Sequence, residues 1–298
     1  MNPAVFETIA DAISLASGQT FSVSRHHSIA GGCINQNTVL AATDGRRFFV
    51  KLNQVSRLDM FKAEAAGLAE LAQSKTVRVP IPLTFGIAGE HAFLAMEWLN
   101  LSPGIEPGKL AIKLGEQLAA MHATTWRAHG WTRANTIGST DQANPPTENW
   151  VEFFQDARLR PQLKLAAQNG AAKHFIDRGN QLLESVGAFF TTYQPMPSLL
   201  HGDLWGGNVG ICSGEPVIFD PAVYFGDRET DIAMSELFGG FPDAFYDAYQ
   251  AIWPLDTGYA SRKLLYQLYH LLNHFNLFGG SYARQSQMAI DQLLAELS

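Results

Sequence analysis

The apolar periodicity of this chain changes character once, near residue 99, and that change constrains the fold more than any other feature. Before it, short apolar runs read as strands: Phe21 to Ile29, Asn37 to Thr43, Arg46 to Leu52, and the buried-strand run Ala92 to Leu99. One helical segment, 58–73, lies among them. An amphipathic helix with Val5, Phe6, Ile9 and Ile13 on one side precedes them and ends at Gly18. Asp44-Gly45 signals a two-residue hairpin turn, and Gly31-Gly32 separates the first two strands. Residues 77–83 carry two prolines and read as a loop or edge strand. A turn-rich stretch with Ser102, Pro103, Gly104, Pro107 and Gly108 follows. Beyond it, 109–123, 149–167, 172–192, 243–252, 259–278 and 283–297 have helical spacing; only 199–222 departs from it. The pattern predicts an α+β chain: a small antiparallel-sheet unit with one main helix (1–99), then a larger, mostly helical unit (100–298). The cleft between two such units is a favoured place for a ligand.

Composition removes several classes of function. With 298 residues, 46% hydrophobic and 16% charged, the chain is of folded type. Its formal charge, 21 − 28 = −7, argues against nucleic-acid binding, which needs a basic face. No run approaches the ~20 apolar residues of a membrane span, and no secretory signal is expected. Two cysteines, Cys33 and Cys212, make neither a disulfide framework nor a four-cysteine zinc site, so a cytoplasmic location is expected. The nine histidines show no metal spacing, and His26-His27 reads as strand surface.

The segment His201-Gly202-Asp203-Leu204-Trp205-Gly206-Gly207-Asn208 concentrates the chemistry. Asp203 and Asn208 have the D-x-x-x-x-N spacing of kinase catalytic loops, and Asp220 follows the short apolar run Val217-Ile218-Phe219. Phosphoryl transfer needs this set: a carboxylate to orient and deprotonate the attacking hydroxyl, and oxygen ligands to hold Mg²⁺ on the triphosphate of ATP. An Asx-turn-rich loop without catalysis is the plainer alternative. The sheet unit supplies an independent check. Lys51 lies on the third strand, and Glu64 lies four residues from both Met60 and Leu68, on the apolar stripe of the next helix. A carboxylate there needs a partner, and Lys51 is the natural one. Gly31-Gly32-Cys33 is placed to bring backbone amides to phosphates. Cys33 there is either a small loop residue with an inert thiol or a thiol of lowered pKa whose oxidation would reduce activity. Met96-Glu97-Trp98-Leu99 ends the last strand, where a two-lobed kinase holds adenine. His201 is expected to brace the loop. Trp205 either walls a sugar site or belongs to the core. Asp231 is expected to brace the Asp203 loop, with a helix N-cap as the alternative. Arg228 and Glu229 are candidates for contacting the substrate.

The order GGCINQN, FFVKLN, MFKAEAAGL, HAFLAMEWL, HGDLWGGN, FDPAVYFGDRETDIAMSELFGGF and YQLYHLLNHFNLFGG resembles the fructosamine kinase (ketosamine-3-kinase) family, from about Phe21 to Gly280. That family belongs to the aminoglycoside phosphotransferase and choline kinase group. The resemblance implies a two-lobed protein-kinase-like fold, with Asp203 as catalytic base and Asn208 and Asp220 as magnesium ligands. It implies Lys51, held by Glu64, on the ATP phosphates, and an adenine hinge at Glu97 to Leu99. The reaction would be ATP-dependent phosphorylation of the 3-hydroxyl of a ketosamine, whose phosphorylated adduct falls apart and frees the amine. The residues leave open the fructose, ribulose or erythrulose adduct, and a free or protein-bound amine. Gly202 replaces the arginine of protein kinases, and Pro221-Ala222 follows Asp220 in place of Phe-Gly, so no phosphorylation switch is expected. Two rival functions remain: another small-molecule kinase of the group, and an inactive nucleotide-binding scaffold.

Overall fold

The computed structural model describes residues 3–29 and 34–297, so the turn at Gly31, Gly32 and Cys33 lies outside the described residues. Helix α1 (Pro3–Ser17) precedes strands β1 (Arg25–Ile29), β2 (Gln36–Ala41) and β3 (Arg47–Gln54). Helix α2 (Leu58–Gln73) and strands β4 (Pro82–Ala88) and β5 (His91–Glu97) follow. The strands form one antiparallel sheet in the order β1-β2-β3-β5-β4. Alternation along β3 divides its side chains. Val50 and Leu52 pack with Phe6, Ile9, Ile13 and Phe93 under α1, which leaves Phe49 and Lys51 on the face toward α2.

Two local readings change. The Ala42 N–H donates to the Arg46 carbonyl at 3.0 Å and the Gly45 N–H to the Ala42 carbonyl at 3.3 Å. The turn is therefore three residues, Thr43-Asp44-Gly45, with Gly45 at φ 91°, the left-handed position such a loop gives to glycine. The edge strand begins only at Pro82 and runs to Ala88. Proline is tolerated there because a strand's first position on a sheet edge has no ladder bond to donate.

The second part opens with the short β6 (Ser102–Pro103) and α3 (Lys109–His122), followed by the hairpin β7 (Asn135–Ile137) and β8 (Thr140–Gln142). The helical stretch expected over 149–167 is divided into α4 (Trp150–Phe154), one π turn (Gln155–Leu159) and α5 (Arg160–Gln168). Pro161 has no N–H to return to the carbonyl of Ala157. That carbonyl instead accepts from the Arg158 guanidinium at 2.9 Å. After α6 (Lys173–Ser185) come four short strands: β9 (Ser198–Leu200), β10 (Val209–Cys212), β11 (Glu215–Ile218) and β12 (Tyr224–Gly226). Helices α7 (Glu229–Leu237), α8 (Asp243–Ile252), α9 (Tyr259–Phe278) and α10 (Tyr282–Glu296) complete the chain. One apolar core runs from α2 and the inner sheet face, through Phe61, Leu68 and Leu94, to Leu118, Leu204 and Leu271. Among the described residues no helix is long and apolar enough to cross a membrane.

Candidate active site

The loop from β9 to β10 is fixed from below by two buried side chains. His201 is fully buried. Its Nε2 donates to the Phe219 carbonyl at 3.0 Å, and its Nδ1 accepts the Asp203 N–H at 3.3 Å. Those roles require the neutral ring, and burial pushes the His201 pKa down. Asp231 accepts the His201 N–H at 2.7 Å on Oδ2 and the Gly202 N–H at 2.8 Å on Oδ1. It is the third residue of α7 and does not cap that helix. His122 Nε2 adds a third donor at 3.2 Å, and Tyr249 and Arg228 extend the chain behind it. Burial works against the Asp231 charge, but the His122 hydrogen bond and charge and the Gly202 amide hold its carboxyl below the usual carboxylate range.

Gly202 sits at φ 80°, and a Cβ there would overlap the Ala222 carbonyl oxygen. The arginine that protein kinases carry at this position has no room. The Ala222 N–H donates to the His201 carbonyl at 2.8 Å, and the Phe219 N–H to the Asn208 carbonyl at 3.0 Å. These two bonds hold Asp220 beside the loop, itself left-handed at φ 57°. Asn208 Nδ2 donates to the Asp203 carbonyl at 2.9 Å and to its Oδ2 at 3.1 Å. Burial, with the charges of Asp220 and Asp231 adding to it, outweighs the Asn208 bond and pushes the Asp203 pKa up to about 7.

Lys51 Nζ lies 2.6 Å from Glu64 Oε1 and 2.5 Å from Asp220 Oδ1, joining β3, α2 and the Asp220 loop. Burial alone would lower the Lys51 pKa, but the two carboxylates raise it instead, so the ammonium stays charged. Asp220 and Asn208 offer one carboxylate and one amide, and no cluster of three or more His, Cys, Asp or Glu suited to a metal occurs among the described residues. Such a sparse oxygen set suits Mg²⁺, which keeps several waters and takes further ligands from phosphates.

A cavity of ≈ 220 Å³ opens beside these groups, and Lys51, Glu64, Asp203, Trp205, Asn208 and Asp220 all line it. Asn135, Thr136 and Gly138 of the β7–β8 hairpin and Asn273, His274, Leu277 and Phe278 of α9 form its far wall. Sequence spacing marks 259–278 as helical but does not show the hairpin, whose three-residue strands are too short for periodicity. Asn135 Nδ2 ties that hairpin to the Val223 carbonyl at 2.7 Å. Trp205 lies over Gly207, where any Cβ would overlap the indole, which explains the glycine at 207; a Cβ at Gly206 would meet nothing within 4 Å.

One expectation is corrected. Arg228 and Glu229 are buried and do not reach the cavity. Arg228 stacks on Trp253 at 4.1 Å and donates to the Trp253 and Pro254 carbonyls, while Glu229 is paired in two bonds with Arg262 at 2.7 and 3.1 Å. A buried charge needs such a partner, and these partners come from α8, α9 and the segment between them. The side chains of Met96, Glu97, Trp98 and Leu99 also lie outside the cavity lining. Glu97 pairs with Arg78, and Trp98 stacks on Phe49 with 6.5 Å between ring centroids.

The fructosamine kinase family profile matches residues 5–296. A probable ketoamine kinase of Synechocystis is 47% identical over 98% of both chains. The chloroplastic protein-ribulosamine 3-kinase of Arabidopsis thaliana is 39% identical over 95% of this chain and 86% of its own. A Haemophilus somnus structure provisionally named fructosamine-3-kinase superposes with a TM-score of 0.90 at 32% identity, covering 98% of each chain. An aminoglycoside phosphotransferase solved with ADP and hygromycin B shares the protein-kinase-like fold, with a TM-score of 0.65 at 14% identity over 97% of this chain and 98% of its own. On its sequence and on its fold, this chain belongs to the fructosamine kinase family.

Proposed function

We propose that this protein is an ATP-dependent ketosamine 3-kinase that starts the removal of sugar adducts from amines. The observation that carries the reading is the convergence of Lys51, Glu64 and Asp220 beside Asp203 and Asn208, with Lys51 and Asp220 169 positions apart in the chain. In this reading residues 1–99 form the ATP-binding lobe and 100–298 the catalytic and substrate lobe. Asp203 accepts the proton of the substrate 3-hydroxyl as its oxygen bonds to the γ-phosphorus and ADP departs. A carboxyl held near neutrality by burial is suited to this task at physiological pH.

Lys51, oriented by Glu64, binds ATP phosphates, and Gly31, Gly32 and Cys33 bring backbone amides to them. Asn208 and Asp220 would hold Mg²⁺, which neutralises charge on the phosphates when bound. Met96 to Leu99 take the adenine edge through backbone groups, with the Phe49–Trp98 stack nearby. Trp205 offers an aromatic face to the sugar.

The test is ADP release with Mg·ATP, comparing ribulose-lysine and fructose-lysine with kanamycin and choline. Turnover on the ketosamines alone, abolished in Asp203→Asn, is expected. Turnover on kanamycin or choline alone rejects the substrate class. ATP binding without turnover on any acceptor favours a scaffold.

A further inference from the structure

The cavity beside Asp203 has a mouth whose chemistry phosphoryl transfer leaves unused. Helices α7 and α9 both lead into Phe-Gly-Gly, as Phe238-Gly239-Gly240 and Phe278-Gly279-Gly280. The four glycines lie at φ 97°, 74°, 65° and 63°, left-handed residues that stop each helix. Phe238 and His274 join the two ends, and Phe238 also reaches Trp205. Phe238 packs edge-on to Trp205 at 5.9 Å and tilted against His274 at 4.8 Å, and His274 packs against Phe278 at 5.6 Å. Phe278 is 53% exposed and Trp205 36%, and both line the cavity.

This collar is built for a cation. Its aromatic faces attract positive charge. The C-terminal ends of two helices turn the negative ends of their dipoles toward it. The His274 Nδ1–H donates to the His270 carbonyl at 2.8 Å, and burial pushes its pKa down, so the ring brings no opposing charge. Among the described residues that line the cavity the one cation is Lys51, which is paired with Glu64 and Asp220. A ketosamine carries a protonated secondary amine next to its sugar and, beyond it, the aliphatic stem of the carrier.

We propose that Trp205 and Phe278, joined through Phe238 and His274, form an aromatic collar that binds the protonated secondary amine and the first methylenes of the carrier. The enzyme thereby selects cationic adducts, and the carrier leaves toward solvent over Phe278. This inference rests on the ketosamine-kinase reading and names the part of the substrate that the collar reads.

The test compares kcat/KM for ribulose-lysine with that for the same adduct acetylated on its secondary nitrogen, which is neutral. The wild-type enzyme prefers the cationic adduct. Phe278→Leu keeps an apolar side chain but removes the ring, and it lowers that preference by roughly 3- to 30-fold, the range of a partly desolvated cation–π contact. Phe278→Tyr restores the preference. An unchanged preference in Phe278→Leu, or equal losses on both adducts, overturns the collar while the kinase reading stands. A wild-type enzyme inactive on every ketosamine overturns both.

Discussion

Asp231→Asn tests whether the catalytic loop is held by charge or merely by shape. The carboxylate accepts three donors: the His201 amide, the Gly202 amide and His122 Nε2. The asparagine amide is nearly isosteric but has one acceptor oxygen. If that oxygen keeps His201 and His122, the new NH₂ group faces the Gly202 N–H, donor against donor, at a buried position. One bond to a charged acceptor is lost and one buried amide is left unsatisfied, which together cost about 2–4 kcal/mol. The same change frees Gly202 and Asp203 to move. A shift of about 1 Å in a catalytic group is enough to cost roughly 10²-fold in rate. Urea unfolding gives the stability change, and kcat with saturating Mg·ATP and ketosamine gives the catalytic one. A stability loss below about 0.5 kcal/mol with kcat unchanged would refute the argument, because the loop would then be held without the carboxylate. A double-mutant cycle with His122→Ala apportions the His122 share, with a coupling energy of about 1 kcal/mol or more expected for groups in direct contact.

Three further outcomes are expected. Glu64→Gln leaves Lys51 its contact with Asp220, so stability changes little, but phosphate binding suffers and KM for ATP rises by roughly ten-fold; an unchanged KM would show that Glu64 does not orient the lysine. The Asp203 pKa is raised, so the carboxyl is protonated and inactive as a base below about 7 and ionised above it. The value of kcat/KM should then fall about ten-fold per pH unit on the acid side, and a profile flat down to pH 5 would show that burial does not hold the Asp203 carboxyl near 7. Gly207→Ala meets only the ring of the partly exposed Trp205, whereas Gly202→Ala meets the Ala222 backbone at φ 80°. Calorimetry should show Gly207→Ala folding normally with a raised KM for the ketosamine, and Gly202→Ala melting at a clearly lower temperature.

The sequence determined what is local or carried by spacing. The helix 58–73 coincides with α2, because apolar side chains at helical spacing bury one stripe whatever lies beneath them. Lys51 and Glu64 were legible as partners because a charge on an apolar stripe has few stable alternatives. The Asp203–Asn208 pairing was legible because five residues span one tight loop. What depended on distant segments stayed hidden. Arg228 and Glu229 looked like substrate contacts because their carbonyl, tyrosine and arginine partners lie about 20 to 35 positions downstream. The β7–β8 hairpin wall has no period to read, and the π turn at 155–159 follows from one missing N–H at Pro161. The meeting of Phe238, Phe278 and Trp205 was beyond any pattern in the chain. Their Phe-Gly-Gly and Trp-Gly-Gly segments are visible in sequence, but only the packing of α7 against α9 links Trp205 and Phe278 through Phe238 and His274 beside one opening.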